Sequence, residues 1–390
     1  MATYVGATEA ARVLGIERAT LYAYVSRGVV SRRTAVDGRT SLYALDELEA
    51  LAQRSRRPPA MADRPTIDVQ IVSGITVLDE AGPSYRGHDV AGLARTASFE
   101  QVAELLWTGD LPHQPVTWPG PDDRAVRGCA DAIAGYGPGL DWINRLGVIT
   151  TAVGLGHAGD DPATAARRIL TMIPAVLAGR SARKQHGDYA AHVASVFAPD
   201  AGGALVGAIR RALVLLADHE LATSTLAVRI AGSVRTDPYA AIAAGLAVVS
   251  GTLHGAAGAA AAALFDDCAE LGAADAIRRR LAARERLPGF GHMIYRNEDP
   301  RFTVLIEAVR QLPDPDGRLF VFDDLLAEAG RVVSRPPNID LALAALAFVG
   351  GFDPTAPLFA VARIAGWAAH LAEELGERPV RYRGLARRTV

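Results

Sequence analysis

Between residues 240 and 265 the chain reads "AAIAAGLAVVSGTLHGAAGAAAAALF", built almost wholly from alanine, glycine and branched apolar side chains. A segment this apolar on every face must lie inside a fold, and its small side chains let neighbouring helices approach closely. Serine, threonine, histidine and glycine interrupt it, so it reads as tightly packed buried helix and not as a membrane span. With 50% hydrophobic residues in 390, the chain can build a substantial core. The start, "MATYVGATEAARVLG", has no basic region followed by an apolar stretch, so a soluble, cytoplasmic protein is expected. The two cysteines, Cys129 and Cys268, lie far apart without metal spacing, which suits a reducing interior and argues against a disulfide framework. A net charge of -2 argues against wholesale coating of nucleic acid.

The run "RSRRPPAMADR" at residues 54–64 stops helix with paired prolines, and a boundary is expected there. Residues 1–57 form one expected domain, 58–65 a linker, and 66–390 a second. In the first, "ATEAARVLGIERATLYAYVSRGVV" spaces Ala11, Val13, Leu14, Ile16, Leu21 and Val25 as helix, turn, helix. Asp37-Gly38 then signals a hairpin, and "SLYALDELEAL" offers a serine cap and a helical stripe. This segment resembles the excisionase and MerR-like winged helix-turn-helix family. The resemblance implies DNA binding through residues 1–57, with the helix from about Arg18 to Ser26 in the major groove and Arg27, Arg32, Arg33 and Arg39 near phosphates. A docking or dimerisation module would carry the same pattern.

Beyond residue 66, "TIDVQIVSGITVLDEAGPSYRGHDV" alternates and breaks at Ala81-Gly82-Pro83, as a short strand pair would. Nearly every later segment has helical period, so the fold is mainly α.

Polar residues in so apolar a chain stand out. His219, in "ADHELATST", has acidic neighbours, while His254 in "SGTLHGAAG" and His292 in "PGFGH" sit beside glycines that let a ligand approach the backbone. Each could equally be a satisfied core histidine. Their spacing is not that of a zinc pair, and no metal is expected. Asp340 heads the very apolar helix in "PPNIDLALAAL", where an Asp is ordinarily a cap. Asn338 competes for that duty, and apolar surroundings would raise the Asp340 pKa toward a useful base. Arg301, Arg363 and Arg378 complete the set, and Arg363, inside "PLFAVARIAGWAAHL", would be costly to bury without an anionic partner. Two imidazoles, a carboxylate and several arginines suit carbon-acid chemistry on a small polycarboxylate. The usual glycine-rich nucleotide loops and the nucleophile elbow are missing, so hydride, phosphoryl and acyl-serine chemistries lack their usual parts.

Residues from about 66 to 384 resemble citrate synthase, through "SYRGHDVAGLA", "FEQVAELLWTGDLP", "ADHELATSTLAVRIAGSV", "PGFGHMIYRNEDPR", "PPNIDLALAAL" and "LFAVARIAGWAAHLAEELGERPVRYRG" in family order. The resemblance implies a large helical subdomain at about 66–254 and 352–390 and a small one at about 255–351. It implies condensation of acyl-CoA, acetyl-CoA foremost, with oxaloacetate, without a further cofactor. Asp340 would take a proton from the acyl methyl, His254 hydrogen-bond the thioester oxygen, and His292 polarise the keto oxygen. His219, Arg301, Arg363 and Arg378 would hold oxaloacetate, Arg378 reaching the partner site of a homodimer. Arg296 would contact CoA phosphates, and Pro288, Gly289, Phe290 and Gly291 would lie beside the adenine. Ala222, Ala256 and Gly258 depart from the family's DHxxNxST and HGGAN patterns. 2-Methylcitrate synthase, using propionyl-CoA, shares these residues. A DNA-binding regulator that senses CoA thioester or dicarboxylate would need the arginines but not the base.

Overall fold

The computed structural model describes residues 4–14, 21–22, 24–25, 30–34, 41–45, 48, 70–79, 82–137, 139–178, 188–251 and 257–382. The chain divides into two compact units, residues 1–71 and 72–390.

In the first unit, strands β1 (Tyr4–Gly6), β2 (Arg33–Thr34) and β3 (Ser41–Ala44) form an antiparallel sheet in the order β1-β3-β2, with helix α1 (Ala7–Leu14) following β1. Ala10, Ala11, Leu21, Val30, Tyr43 and Leu48 make its small core. Residues 21–22 and 24–25 are helical. Most of the expected second helix, the Asp37-Gly38 turn, Arg18, Arg27, Arg39 and the 58–65 linker lie outside the described residues. Ser41, expected as a helix cap, is a strand residue paired with Thr34, so pairing overrides the local capping pattern.

The second unit opens on a meander of β4 (Thr76–Asp79), β5 (Gly82–Tyr85) and β6 (His88–Asp89). Helices follow: α2 (Val90–Thr96), α3 (Phe99–Thr108), α4 (Asp123–Gly135), α5 (Trp142–Gly154), α6 (Pro162–Leu177), α7 (Tyr189–Phe197) and α8 (Gly203–Leu216). Then come α9 (Thr223–Ser233), α10 (Pro238–Val249), α11 (Ala257–Leu271), α12 (Ala273–Ala282), α13 (Pro300–Val309), α14 (Arg318–Val332), α15 (Ile339–Gly350) and α16 (Leu358–Leu375). None of the described helices is long and apolar enough to cross a membrane.

Local signals set many of these starts. Asp161-Pro162, Asp237-Pro238 and Asp299-Pro300 each place a carboxylate at the N-cap and a proline at the first helical position, where the missing N–H costs nothing. Ser98 and Gln101 close a capping box at α3. The alanine-rich run becomes α10 and α11. At Gly245 of α10 a Cβ would stand 2.8 Å from Val228 of α9 and 3.0 Å from the Trp367 ring of α16, so only glycine admits this approach. Helix α16 is central, packing against α3, α6, α8, α9 and α10, and most of its residues are buried.

Candidate active site

The opening pieces of the site are two bends that fold as one. In the Pro288–Gly291 turn Gly289 has φ +80°, and a Cβ there would come within 2.7 Å of the Leu341 Cβ. The Asn338 N–H donates to the Gly289 carbonyl at 2.9 Å, the Gly291 N–H donates to the Pro336 carbonyl at 2.7 Å, and the Asn338 amide donates to the Gly291 carbonyl at 2.9 Å. The bend before α15 thereby grips the turn, with His292 leaving one arm and Asp340 the other.

The partners of His292 assign its tautomer. Its Nδ1 accepts from the backbone N–H groups of Ile294 at 3.2 Å and Tyr295 at 3.3 Å, which leaves the proton of the neutral ring on Nε2. Nε2 lies 3.3 Å from Nη2 of Arg301, so two donors face one another and call for a shared acceptor between them. Burial, then the Arg301 charge, pushes the His292 pKa down, with Asp299 opposing. The ring stacks on Tyr295, whose hydroxyl pKa burial pushes up to about 12.

Arg301, at the start of α13, is buried and held from below. Asp299 takes its Nε and Nη2 at 2.9 Å each, and the guanidinium lies over the Tyr295 ring at 5.1 Å. Burial works against the Arg301 charge, but Asp299 outweighs it and the pKa rises.

His219 meets His292 edge to face at 5.3 Å. Burial, then the charges of Arg301, Arg363 and His292, pushes its pKa well below the ordinary value, so it is neutral. Arg363, 1% exposed on α16, donates from Nε to the Leu216 carbonyl at 2.9 Å and lies over Phe359 at 4.6 Å. Burial pushes its pKa down, with Asp218 opposing. His219 Nε2, Arg363 Nη1 and the Tyr295 hydroxyl are buried with no hydrogen-bond partner among the described residues. Buried polar atoms in native proteins are nearly always paired, so this concentration marks a place for a polar ligand.

Asn338 takes the cap of α15, accepting from the Asp340 and Leu341 N–H groups, which frees the Asp340 carboxylate from that duty. Burial raises the Asp340 pKa, Arg301 opposes and Asp299 adds. Neutral imidazole donors, two buried cations and one carboxylate of raised pKa can bind a small polycarboxylate and take a proton from a carbon acid.

His219, His292, Arg301 and Arg363 thus gather at one place, with Asp340 close enough for its charge to act on Arg301. Pro288, Gly289, Phe290 and Gly291 form the clamped turn, and Arg296 is exposed just beyond it. His254 and Ala256 lie outside the described residues. Arg378 is exposed past the end of α16, and among the described residues no hydrogen bond or ion pair joins it to this cluster.

Sequence reasoning missed the residues behind these. Asp299 sits within the quoted "NEDPR", but its grip on Arg301 shows only in three dimensions. Asp218 precedes His219, is fully buried, and accepts from Thr76 Oγ1 at 2.6 Å and the Glu220 N–H at 3.0 Å. His370 lies 3.3 Å from Asp218 and 3.0 Å from Arg229, which pairs with Glu373 and Glu374. Arg229, a cation inside the apolar "TLAVRIAG", carries the same signal that singled out Arg363.

A helical fold around two buried arginines, two neutral histidines and a poised carboxylate defines an enzyme of polycarboxylate chemistry. Residues 68–383 match the family model for citrate synthase, C-terminal domain. The chain is 29% identical over 361 residues to a 2-methylcitrate synthase of Mycobacterium tuberculosis, covering 83% of this chain and 91% of that one. It is 30% identical over 320 residues to a citrate synthase of Mycolicibacterium smegmatis, covering 75% and 84%. The crystal structure of citrate synthase from Thermotoga maritima superposes with a TM-score of 0.65 at 24% identity, covering 82% of this chain and 93% of that chain. The protein belongs to the citrate synthase family.

Proposed function

We propose that the protein condenses an acyl-CoA thioester with oxaloacetate and hydrolyses the product to a citrate-type acid and free CoA. The observation that carries this is the facing pair of donors, His292 Nε2 and Arg301 Nη2 at 3.3 Å, beside a carboxylate of raised pKa. An oxygen acceptor between those donors accounts for both. The keto oxygen and neighbouring carboxylate of oxaloacetate supply such acceptors, and Arg363 with its unpaired Nη1 takes the far carboxylate together with His219.

In this reading Asp340 removes a proton from the carbon next to the thioester carbonyl, and His254 donates to the thioester oxygen as the enol forms. That carbon attacks the keto carbon, and His292 gives the new alkoxide its proton. Water then cleaves the thioester and CoA leaves as the thiol. Arg296 and the Pro288–Gly291 turn hold CoA, which enters as a substrate; the chemistry calls for no other cofactor. Retention of the base favours catalysis over ligand sensing. Release of free thiol from acetyl-CoA or propionyl-CoA with oxaloacetate tests the reading. No release from a folded protein that binds oxaloacetate would overturn it.

The dimer follows from the same reading. Ile230 and Val234, one turn apart at the end of α9, are exposed at 44% and 57% and suit an apolar interface, and Arg378 completes the partner's site. Residues 1–57 are proposed as a winged helix-turn-helix. The antiparallel sheet, its small core and the exposed Arg32 and Arg33 support this, with residues 58–65 as the linker and the two helical subdomains as drawn from sequence. Salt-sensitive retardation of DNA from the gene's own upstream region is the expected result.

A further inference from the structure

Asp340 borders more than the polar cluster. On α15 it shares one face with Leu343, Ala344 and Ala347, the three, four and seven positions that helical geometry stacks together. These four line a cavity of about 200 Å³ that Gly258 of α11 and Phe359 of α16 also line. Apart from Asp340 and Thr355, the side chains around it are apolar. From Asp340 to Ala347 the cavity wall rises roughly 10 Å along the helix. At Gly258 a Cβ would meet nothing within 4 Å, so the space is open there as well.

An apolar cavity that begins at the base has one chemical use if the condensation proposed above is correct, on which this inference rests. The base attacks the carbon next to the thioester carbonyl, and whatever alkyl group that carbon bears must project from the same point. Acetyl-CoA bears none. A volume of 200 Å³ corresponds to about seven water-sized groups at roughly 30 Å³ each, far more than the single methyl of a propionyl group needs. We infer that the preferred donor is a straight-chain acyl-CoA of about four to eight carbons, its alkyl tail lying along Leu343, Ala344 and Ala347.

The balance of the step is unchanged. Asp340 takes one of the two α-protons, the α-carbon forms its bond to the keto carbon, His292 protonates the keto oxygen, and water releases CoA thiol. The product is a 2-alkylcitrate. Each buried methylene is worth about a fourfold gain in kcat/KM until the cavity is full.

Thiol release is measured with oxaloacetate and acetyl-, propionyl-, butyryl-, hexanoyl- and octanoyl-CoA. Hexanoyl-CoA is expected to exceed acetyl-CoA in kcat/KM by roughly tenfold or more. Ala344→Leu fills the cavity from α15, and Gly258→Leu fills it from a position with free space, so the second variant folds even where the first does not. Each lowers the hexanoyl-to-acetyl ratio by about tenfold. A wild type that prefers acetyl-CoA overturns the inference and leaves the condensation standing. A hexanoyl preference that neither variant alters removes this cavity as its seat. Release from no donor overturns both readings.

Discussion

Asp299 grips Arg301 with both carboxylate oxygens at 2.9 Å, and one of those oxygens also accepts the Ile339 N–H at 3.0 Å. One buried carboxylate thus ties the head of α13 to the head of α15. It fixes Arg301 and the start of the helix that carries Asp340 in the same frame. Asp299→Asn leaves Arg301 buried without its counter-charge, and loss of one partner of such a pair costs about 3 to 5 kcal/mol. Urea denaturation is expected to show that loss, and steady-state kinetics a raised KM for oxaloacetate. A variant with wild-type stability would mean that water replaces the carboxylate.

Asp340 is free of capping duty, so its removal should separate chemistry from folding. Asp340→Asn is expected to lower kcat by about a hundred- to ten-thousand-fold while leaving the midpoint of thermal unfolding unchanged or higher. The proposed base would work deprotonated, and the Asp340 pKa lies above the ordinary 3.8. Wild-type kcat/KM therefore falls as pH drops through that raised value. A pH profile flat on its acid side down to the ordinary carboxylate range would contradict the assignment.

His219 links stability to pH. Its folded pKa lies well below the ordinary 6.5, so between the two values the unfolded chain binds more protons than the folded one. Stability is then full above 6.5 and falls as pH drops through that window. His292 contributes with the same sign, and Asp340, whose pKa is raised, with the opposite one. His219→Gln removes one share. Denaturation curves from about pH 5 to pH 7.5 are expected to show a shallower loss in the variant; equal slopes would exclude His219 as a contributor.

Much of this architecture can be read from local pattern because its causes are local. The Asp-Pro pairs start helices by capping and by a fixed φ, and Asn338 competes for the α15 cap within two residues of Asp340. The glycines around His292 signal a bend by residue type alone. Partners brought by packing are another matter. Arg229 and Arg363 look alike in sequence, each a cation in an apolar helix. Packing gives Arg229 two carboxylates and His370 and gives Arg363 the Leu216 carbonyl, and each keeps one buried nitrogen without a hydrogen-bond partner among the described residues. Arg229 is neutralised by Glu373 and Glu374 from a helix more than a hundred residues away, and among the described residues no carboxylate forms an ion pair with Arg363.

Arg378 is exposed between the end of α16 and two anchors that follow it in the chain. Val380 donates its N–H to the Ser233 carbonyl at 2.9 Å, and Arg381 pairs with the buried Glu374 through Nε at 2.8 Å. Such anchoring presents a charged side chain outward at a fixed place, which is what reaching a partner's site requires. In the proposed homodimer with its shared site, Arg378→Ala and Asp340→Asn should each be nearly inactive on their own. In a hybrid dimer, the Asp340→Asn subunit lends its intact Arg378 to the one site that still has Asp340. Co-expression of the two is therefore expected to restore about a quarter of wild-type activity, since half the dimers are hybrids with one working site of two. If the isolated hybrid is as inactive as its parents, Arg378 serves its own subunit or none, and the shared site falls. If Arg378→Ala alone keeps full activity and an unchanged oxaloacetate KM, the residue has no part in the site.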